Sequence, residues 1–180
     1  RQHLTSGAVA ILEEMERRLL LTIDLSGYIT SDTTLSNTNE QYRITGSIYI
    51  GPGVNLVIQS GVQINTVSNS YQIYVKGALD ATNASFTGET DIFVYSGGTL
   101  NLTGCSVAGK GVTYYSGSLG TTKTTTFTSA LLRLESGGVK VDGNTFTRTD
   151  PVETSPSLVP ELYDNTFLHE STVILKGEAA

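Results

Sequence analysis

The chain has few charged residues, one cysteine and no tryptophan. Only 16% of its 180 residues are Asp, Glu, Lys or Arg, and the acidic residues outnumber the basic ones by 17 to 11. With a pI near 4.8, the chain lacks the basic surface that a nucleic-acid backbone requires, so nucleic acid is not an expected partner. The single cysteine, Cys105, excludes an internal disulfide framework and a cysteine-based zinc site.

Long apolar runs are also missing from the sequence. The longest mainly apolar stretch, Leu19–Ile23, spans five residues, whereas a membrane-spanning helix needs roughly 20. The sequence therefore predicts no membrane span.

Threonine, serine and glycine are abundant instead. The chain contains 26 Thr, 18 Ser and 19 Gly, and these residue types are poor helix formers. Hydrophobic residues make up 38% of the chain, so a core can form, but its residues are widely spaced. This composition favours an all-β, extended and exported protein and disfavours a helical bundle.

Residues 1–27 differ in pattern from the rest of the chain. Thr5-Ser6 can cap a helix over about residues 7–20, in which apolar residues recur at helical spacing. This apolar stripe consists of Ala8, Ile11, Leu12, Met15 and Leu19. Acidic residues lie where a secretion signal would be apolar. We therefore expect a short amphipathic capping helix with a lead-in, on a chain that is processed or excised.

An internal repeat runs through the remainder of the chain. A large apolar residue follows a small polar triplet five times, at nearly constant steps of about 20 residues, a period typical of solenoids. These markers are Phe86, Val107, Phe127, Phe146 and Phe167. Ile64 precedes Phe86 by a similar step and extends the column. Short alternating strands such as Ile73-Tyr74-Val75, each followed by a glycine-containing corner, repeat with the same period.

Such a repeat predicts one coil of a parallel β-helix, in which three short strands are joined by tight corners. We expect about six or seven coils over residues 28–180, with the five apolar markers stacked inside as a ladder. Small residues (Ala84, Cys105, Thr125 and Asn144) should line the adjacent corner. Alternatively, Asn144 and Asn165 form part of a polar turn ladder that bonds backbone groups from coil to coil. A β-sandwich is the competing fold, but it does not predict nearly constant spacing.

Two stretches resemble a known superfamily. Residues 42–62, which contain Gly51-Pro52-Gly53-Val54, resemble the first coil of bacterial right-handed parallel β-helix proteins of the pectin-lyase-like superfamily. Residues 73–81 resemble the coil that follows, and residues 14–21 are similar to a short element that precedes such modules. The resemblance implies a right-handed β-helix in an exported bacterial protein. It implies no single activity, because this fold carries lyases, hydrolases, adhesins and inert stalks.

Residues that could perform catalysis are scattered. The acidic candidates are Asp80, Asp91, Asp142 and Asp164, and they do not share one column of the repeat. Asp142 and Asp164 lie in sequence patterns that are typical of turns. His3 and His169 have no partner at ligand spacing, and Cys105 falls on the inner corner column. The sequence therefore predicts a protein without catalytic residues, metal site or cofactor.

Aromatic and threonine residues provide two further candidates. Five aromatic side chains point outward if their apolar neighbours point inward, and a flat aromatic strip can stack on sugar rings. They are Tyr49, Tyr74, Phe93, Tyr95 and Tyr115. Alternatively, these rings cover one another along the rod or lie under the N-terminal segment. Residues 121–126 are rich in threonine, but ice binding requires Thr-x-Thr at the same place on several coils, and Lys123 interrupts this one.

We therefore expect a non-catalytic structural or adhesive module of an extracellular or cell-surface bacterial protein, acting as a stiff rod. The alternative is a carbohydrate-binding or polysaccharide-degrading β-helix protein, and ice binding is a third hypothesis. Residues 173–180 begin a new coil, which predicts self-association or further coils of a longer chain; a glycan is the other expected partner. Asn83 and Asn101 fit the pattern of N-glycosylation acceptors.

Overall fold

The computed structural model describes residues 22–147, 152–154, 161–168 and 173–175. These residues form an all-β parallel solenoid of about 7 turns, in which every strand pairing is parallel and each strand pairs with its equivalent in the next turn. The predicted parallel β-helix is thereby confirmed at the level of architecture. Three stacks of strands, named face 1, face 2 and face 3 in the order in which each turn passes through them, surround one core.

Two long strands start the solenoid. β1 (Thr22–Ile29) pairs with β3 (Gln41–Ile50) along its length, with a register shift between Leu25 and Gly27. Each of these strands contributes its first half to face 3 and its second half to face 1, so β3 joins the two faces into a single 14-stranded sheet. The predicted boundary between residues 27 and 28 falls within β1.

Face 1 continues from the second half of β3. Its further strands are β6 (Ile73–Val75), β9 (Asp91–Val94), β12 (Gly111–Tyr114), β15 (Leu131–Leu134), β18 (Val152–Thr154) and β21 (Val173–Leu175). Inward and outward positions alternate along the strands from β3 to β18, as β-strand geometry dictates. Tyr114 takes an inward position between Val94 and Leu134, where its hydroxyl donates to the carbonyl of Leu100 at 3.0 Å.

Face 2 is a separate seven-stranded sheet. Its strands are β2 (Thr33–Leu35), β4 (Asn55–Ile58), β7 (Ala78–Thr82), β10 (Thr99–Thr103), β13 (Leu119–Lys123), β16 (Gly138–Asp142) and β19 (Glu161–Tyr163). The corner that leads into it from face 1 requires glycine at Gly77, because a Cβ there would collide with the carbonyl oxygens of Gly51 and Val54.

Face 3 carries the apolar markers of the repeat. Its strands after the first half of β3 are β5 (Gln63–Thr66), β8 (Ser85–Gly88), β11 (Ser106–Ala108), β14 (Thr126–Thr128), β17 (Thr145–Phe146) and β20 (Thr166–Phe167). The markers stack in register, and the ring centroids of Phe127 and Phe146 lie 4.9 Å apart. Four markers are fully buried and Phe167 is partly buried, so the predicted interior ladder is confirmed.

The corner between faces 2 and 3 has one recurring geometry in five successive turns of the chain. Its first residue always has a positive φ, between 47° and 63°. These residues are Asn83, Gly104, Thr124, Gly143 and Asp164. The next residue points inward, and here the predicted polar ladder is confirmed, because Asn165 Oδ1 accepts from the backbone N–H of Asn144 at 3.0 Å.

Some predictions fall outside the described residues. The capping helix over about residues 7–20, His3 and His169 all lie in parts of the chain that the structure does not describe. These predictions, and the division of the chain into residues 1–27 and 28–180, stay predictions.

Candidate functional site

The outer surface of face 1 carries a column of aromatic rings in successive turns of the solenoid. Tyr28, Tyr49, Tyr74 and Phe93 are direct register neighbours on β1, β3, β6 and β9. The ring centroids of Tyr28 and Tyr49 lie 4.8 Å apart, as do those of Tyr49 and Tyr74, with interplanar angles of 21° and 11°. Tyr74 and Phe93 are 5.8 Å apart.

A second, shorter column runs beside the first. Tyr95 and Tyr115 follow the ends of β9 and β12, and their rings stack at 5.0 Å. Tyr95 also contacts Tyr74 at 6.1 Å, and Tyr115 contacts Phe93 at 6.0 Å. All five aromatic residues singled out from the sequence therefore join one cluster, which we call the aromatic ladder.

Tyr28 belongs to the aromatic ladder but was missed in the sequence. The signal was present, because Gly27-Tyr28-Ile29 precedes the similar triplet Ile48-Tyr49-Ile50 by one repeat length. The repeats recognised in the sequence began at Ile48, one turn after Tyr28. Tyr28 has the most exposed ring of the ladder, with 76% of the residue accessible, against 37% for Tyr49.

The ring geometry determines which ligands this surface suits. Rings that stack at the strand spacing cover one another's faces and turn their edges to solvent. A sugar that stacks on an aromatic ring needs an open ring face, and the stacking leaves such a face mainly at Tyr28 at the start of the ladder. The geometry thus corresponds to the alternative in which the rings cover one another along the rod, and sugar binding stays a prediction.

Burial affects the titration of this surface. It raises the pKa of the Tyr74 and Tyr95 hydroxyls, with smaller contributions from neighbouring tyrosines. Tyr74 Oη donates to Gln72 Oε1 at 3.0 Å. The ammonium group of Lys76 lies 5.8 Å from the ring centroid of Tyr95, within cation–π range. These contacts hold the ring edges in fixed positions.

Beyond Phe93 the outward column of face 1 becomes polar. Thr113, Arg133 and Glu153 occupy the next three turns, and Arg133 Nη2 lies 2.9 Å from Glu153 Oε2. Asp91 lies beside Phe93 on the same strand. Burial raises the pKa of the Asp91 carboxyl more than the charges of Lys110 and Arg133 lower it.

The acidic candidates are distributed over two faces and one corner of the solenoid. Asp80 and Asp142 are outward residues of face 2 in turns that are three apart, which separates their backbones by about 14 Å along the axis. Asp91 is on face 1, and Asp164 occupies the corner between faces 2 and 3. Asp164 follows Tyr163, the register partner of Asp142 in the neighbouring turn, so Asp142 and Asp164 are neighbours at this corner. Both belong to the turn patterns expected from the sequence, and Asp80 accepts from the amide of Asn101.

Other sequence candidates have structural roles. Burial raises the pKa of the Cys105 thiol, and its sulfur contacts the carbonyl of Ala81 at 3.4 Å. In the threonine-rich run, Thr122 and Thr125 are fully buried and point inward. The run therefore does not present one flat hydroxyl surface.

The two asparagines that fit the glycosylation pattern differ in their surroundings. Asn101 Nδ2 donates to Asp80 Oδ1 at 2.7 Å, and its Oδ1 accepts from the N–H of Thr121 at 3.1 Å. Asn83 lies exposed at a corner with φ 47°. Of the two, Asn83 is the accessible side chain.

Within the described parts of the chain, no group of three or more His, Cys, Asp or Glu side chains is arranged to hold a metal ion. The same residues include no helix with the length and apolar character needed to cross a membrane. Comparison with protein-family models, with curated proteins and with solved structures gives no match.

Proposed function

We propose that this chain is a non-catalytic structural module, a stiff solenoid rod of an exported bacterial surface protein that displays its outer faces for adhesion. The observation that carries the proposal is the unbroken parallel register of all three faces over about 7 turns around a filled core. Since coils stack about 4.8 Å apart, the rod is about 34 Å long. The pectin-lyase-like resemblance, the right-handed winding and the extracellular location are parts of this proposal.

Two features of the described residues support a mechanical role. Ladders of like residues run both inside the solenoid, as Phe127 and Phe146, and outside it, as Tyr49 and Tyr74. Each coil is thus held by its neighbours, which is how repeat proteins gain stability. The hydrogen bond from Asn101 to Asp80 and the corner position of Asp164 support the absence of catalysis.

Limited proteolysis combined with polysaccharide assays tests this function. We expect trypsin to leave the solenoid uncut at Lys76, Lys110 and Arg133, and we expect a panel of polysaccharides to show no release of reducing or unsaturated sugar. The destabilised variant Asn144→Ala should be cut faster and serves as the control for protease activity. Rapid cleavage at these three sites, or sugar release above that of heat-inactivated protein, would contradict the proposal.

Self-association is part of the same proposal. Ile23, Leu25 and Ile29 point inward in β1 but are only partly buried, so among the described residues the first turn retains apolar surface at the end of the core. A second copy that stacks on this end would cover it. Light scattering that shows a monomer at every concentration would oppose this association.

Glycan binding by the aromatic ladder is the second candidate function. It is favoured by the exposed ring of Tyr28 at the start of the ladder. A glycan array should show binding that Tyr28→Ala abolishes and that Tyr163→Ala retains, because Tyr163 is a 51% exposed tyrosine on face 2. Equal losses in both variants, or no binding by the unmodified chain, would exclude the ladder as a sugar site.

A further inference from the structure

The outer surface of face 3, from β5 to the residue after β20, is a regular array rich in hydroxyl groups, which we call the hydroxyl face. It comprises the residues immediately before and after each inward apolar residue, and the parallel register aligns them into two columns. The first column is Gln63, Ser85, Ser106, Thr126, Thr145 and Thr166. The second column is Asn65, Thr87, Ala108, Thr128, Thr147 and Leu168. Two thirds of these side chains carry a hydroxyl group.

The hydroxyl face contains no ionisable residue. In the first two turns, the same outward column of face 3 holds the ion-paired residues Asp24 and Arg43. Asn65 is the register neighbour of Arg43 in the next turn, and the hydroxyl face begins there. The outward positions of the other two faces, by contrast, include charged residues well along the solenoid. They are Asp91, Arg133 and Glu153 on face 1, and Asp80, Lys123, Lys140, Asp142 and Glu161 on face 2. Beyond its first two turns, one side of the solenoid thus differs in chemistry from the others.

Several contacts fix the side chains of this surface. The hydroxyl of Thr87 donates to the carbonyl of Ile64 at 3.2 Å, and that of Thr147 donates to the carbonyl of Phe127 at 3.3 Å. Each bond ties a side chain to the preceding turn. Behind the array, the ring of Phe146 is within 11° of parallel to its stacked neighbours on both sides, so the side chains beneath these strands repeat regularly from turn to turn.

The dimensions of the array limit the ligands it fits. Successive turns repeat about every 4.8 Å, and the two columns lie about 6.6 Å apart along each strand. Threonine, which presents both a methyl and a hydroxyl group, occupies six of the twelve positions, so the surface orders water through hydrogen bonds without the strong hydration that a charge imposes. A rigid two-dimensional lattice of oxygen atoms with a similar repeat, as in crystalline ice, is the ligand that matches such a surface.

We propose that the hydroxyl face binds ice. The sequence indicated only the run at residues 121–126, of which Thr126 alone lies on face 3, whereas the repeated Thr-x-Thr arrangement lies on face 3 throughout. Thr126-x-Thr128 and Thr145-x-Thr147 stack directly, with Ser85-x-Thr87 two turns before Thr126. The proposed ligand is the crystal surface, held by many weak contacts whose geometry is preset by the solenoid.

Inhibition of ice recrystallisation and thermal hysteresis test the proposal on the full chain. The variant Thr128→Lys places a long charged side chain in the middle of the hydroxyl face. Its matched control is Thr103→Lys, because Thr103 is likewise an exposed threonine at the end of a strand, on face 2. We expect Thr128→Lys to raise the concentration needed for inhibition by about tenfold and Thr103→Lys to leave it unchanged.

Three results would overturn the proposal. The first is absence of both ice activities in the unmodified chain, and the second is an equal effect of the two substitutions while circular dichroism shows that both variants fold. The third is binding to a flat crystalline polysaccharide that Thr128→Lys abolishes, in a chain without ice activity. That result would assign the hydroxyl face to a polymer surface.

Discussion

The amide of Asn144 should contribute more to stability than any other polar side chain of the solenoid corner. Asn144 is fully buried, and its Oδ1 accepts from the N–H of Thr125 at 2.8 Å. Its Nδ2 donates to the carbonyl of Thr122 at 2.8 Å and to Asn165 Oδ1 at 3.1 Å. The substitution Asn144→Ala removes all of these bonds at once.

The expected loss follows from the groups that remain. Thr125 and Thr122 are themselves fully buried, so water reaches neither the freed N–H nor the freed carbonyl. A buried polar group without a partner costs about 1–3 kcal/mol, and two such groups therefore cost about 4 kcal/mol together. With a urea m-value of about 2 kcal/mol/M, the unfolding midpoint should fall by about 2 M.

Urea unfolding followed by circular dichroism measures this effect. The control Asn65→Ala removes an amide from the outer surface, where its Nδ2 makes only a 3.4 Å contact with Gln41 Oε1, and should change stability by less than about 0.5 kcal/mol. A loss below about 1 kcal/mol for Asn144→Ala, at unchanged m-value, would refute the role of the corner ladder.

Three further predictions address the corners and one carboxyl group. Thr124→Gly should raise stability by about 0.5–1 kcal/mol in urea unfolding, because Thr124 has φ 48°, which a side chain disfavours by more than glycine loses in entropy. Gly77→Ala should lower the melting temperature through a loss of about 2 kcal/mol, since its Cβ would collide with the carbonyls of Gly51 and Val54. If the backbone at these corners can relax, neither the gain in stability for Thr124→Gly nor the loss for Gly77→Ala should be measured. Burial raises the pKa of Asp91 from 3.8, so the folded chain holds this proton more tightly and stability falls as pH rises through the raised pKa. Asp91→Asn should therefore be more stable than the parent at neutral pH, with the difference vanishing below the ordinary aspartate pKa; an equal difference at both pH values would contradict this origin.

Much of the interior could be predicted from the sequence. Phe86, Phe127 and Phe146 are inward and stacked as expected, because strand alternation decides which side chains face the core and a constant step length places like residues in successive turns. The inward position of Asn144 followed from the same column. These features depend on local pattern and period, which a single sequence displays.

The outer faces were less predictable, because turns differ in length on the way around the solenoid. The step from Tyr49 to Tyr74 is longer than the steps from Tyr28 to Tyr49 and from Tyr74 to Phe93, so no fixed period aligns these rings. The threonine run was likewise noted as one stretch along the chain, whereas its last residue, Thr126, stacks between Ser106 and Thr145 of the neighbouring turns.

The sequence by itself thus determined a β-solenoid, its repeat length, its core residues and its corners, because each of these follows from neighbours along the chain. Only the tertiary structure decided that the aromatic rings cover one another on face 1 and that hydroxyl groups form an uncharged array on face 3. The physical reason is that each outer surface is composed of residues a whole turn apart in the chain. Their register is set by hydrogen bonds between turns, and no local pattern specifies it.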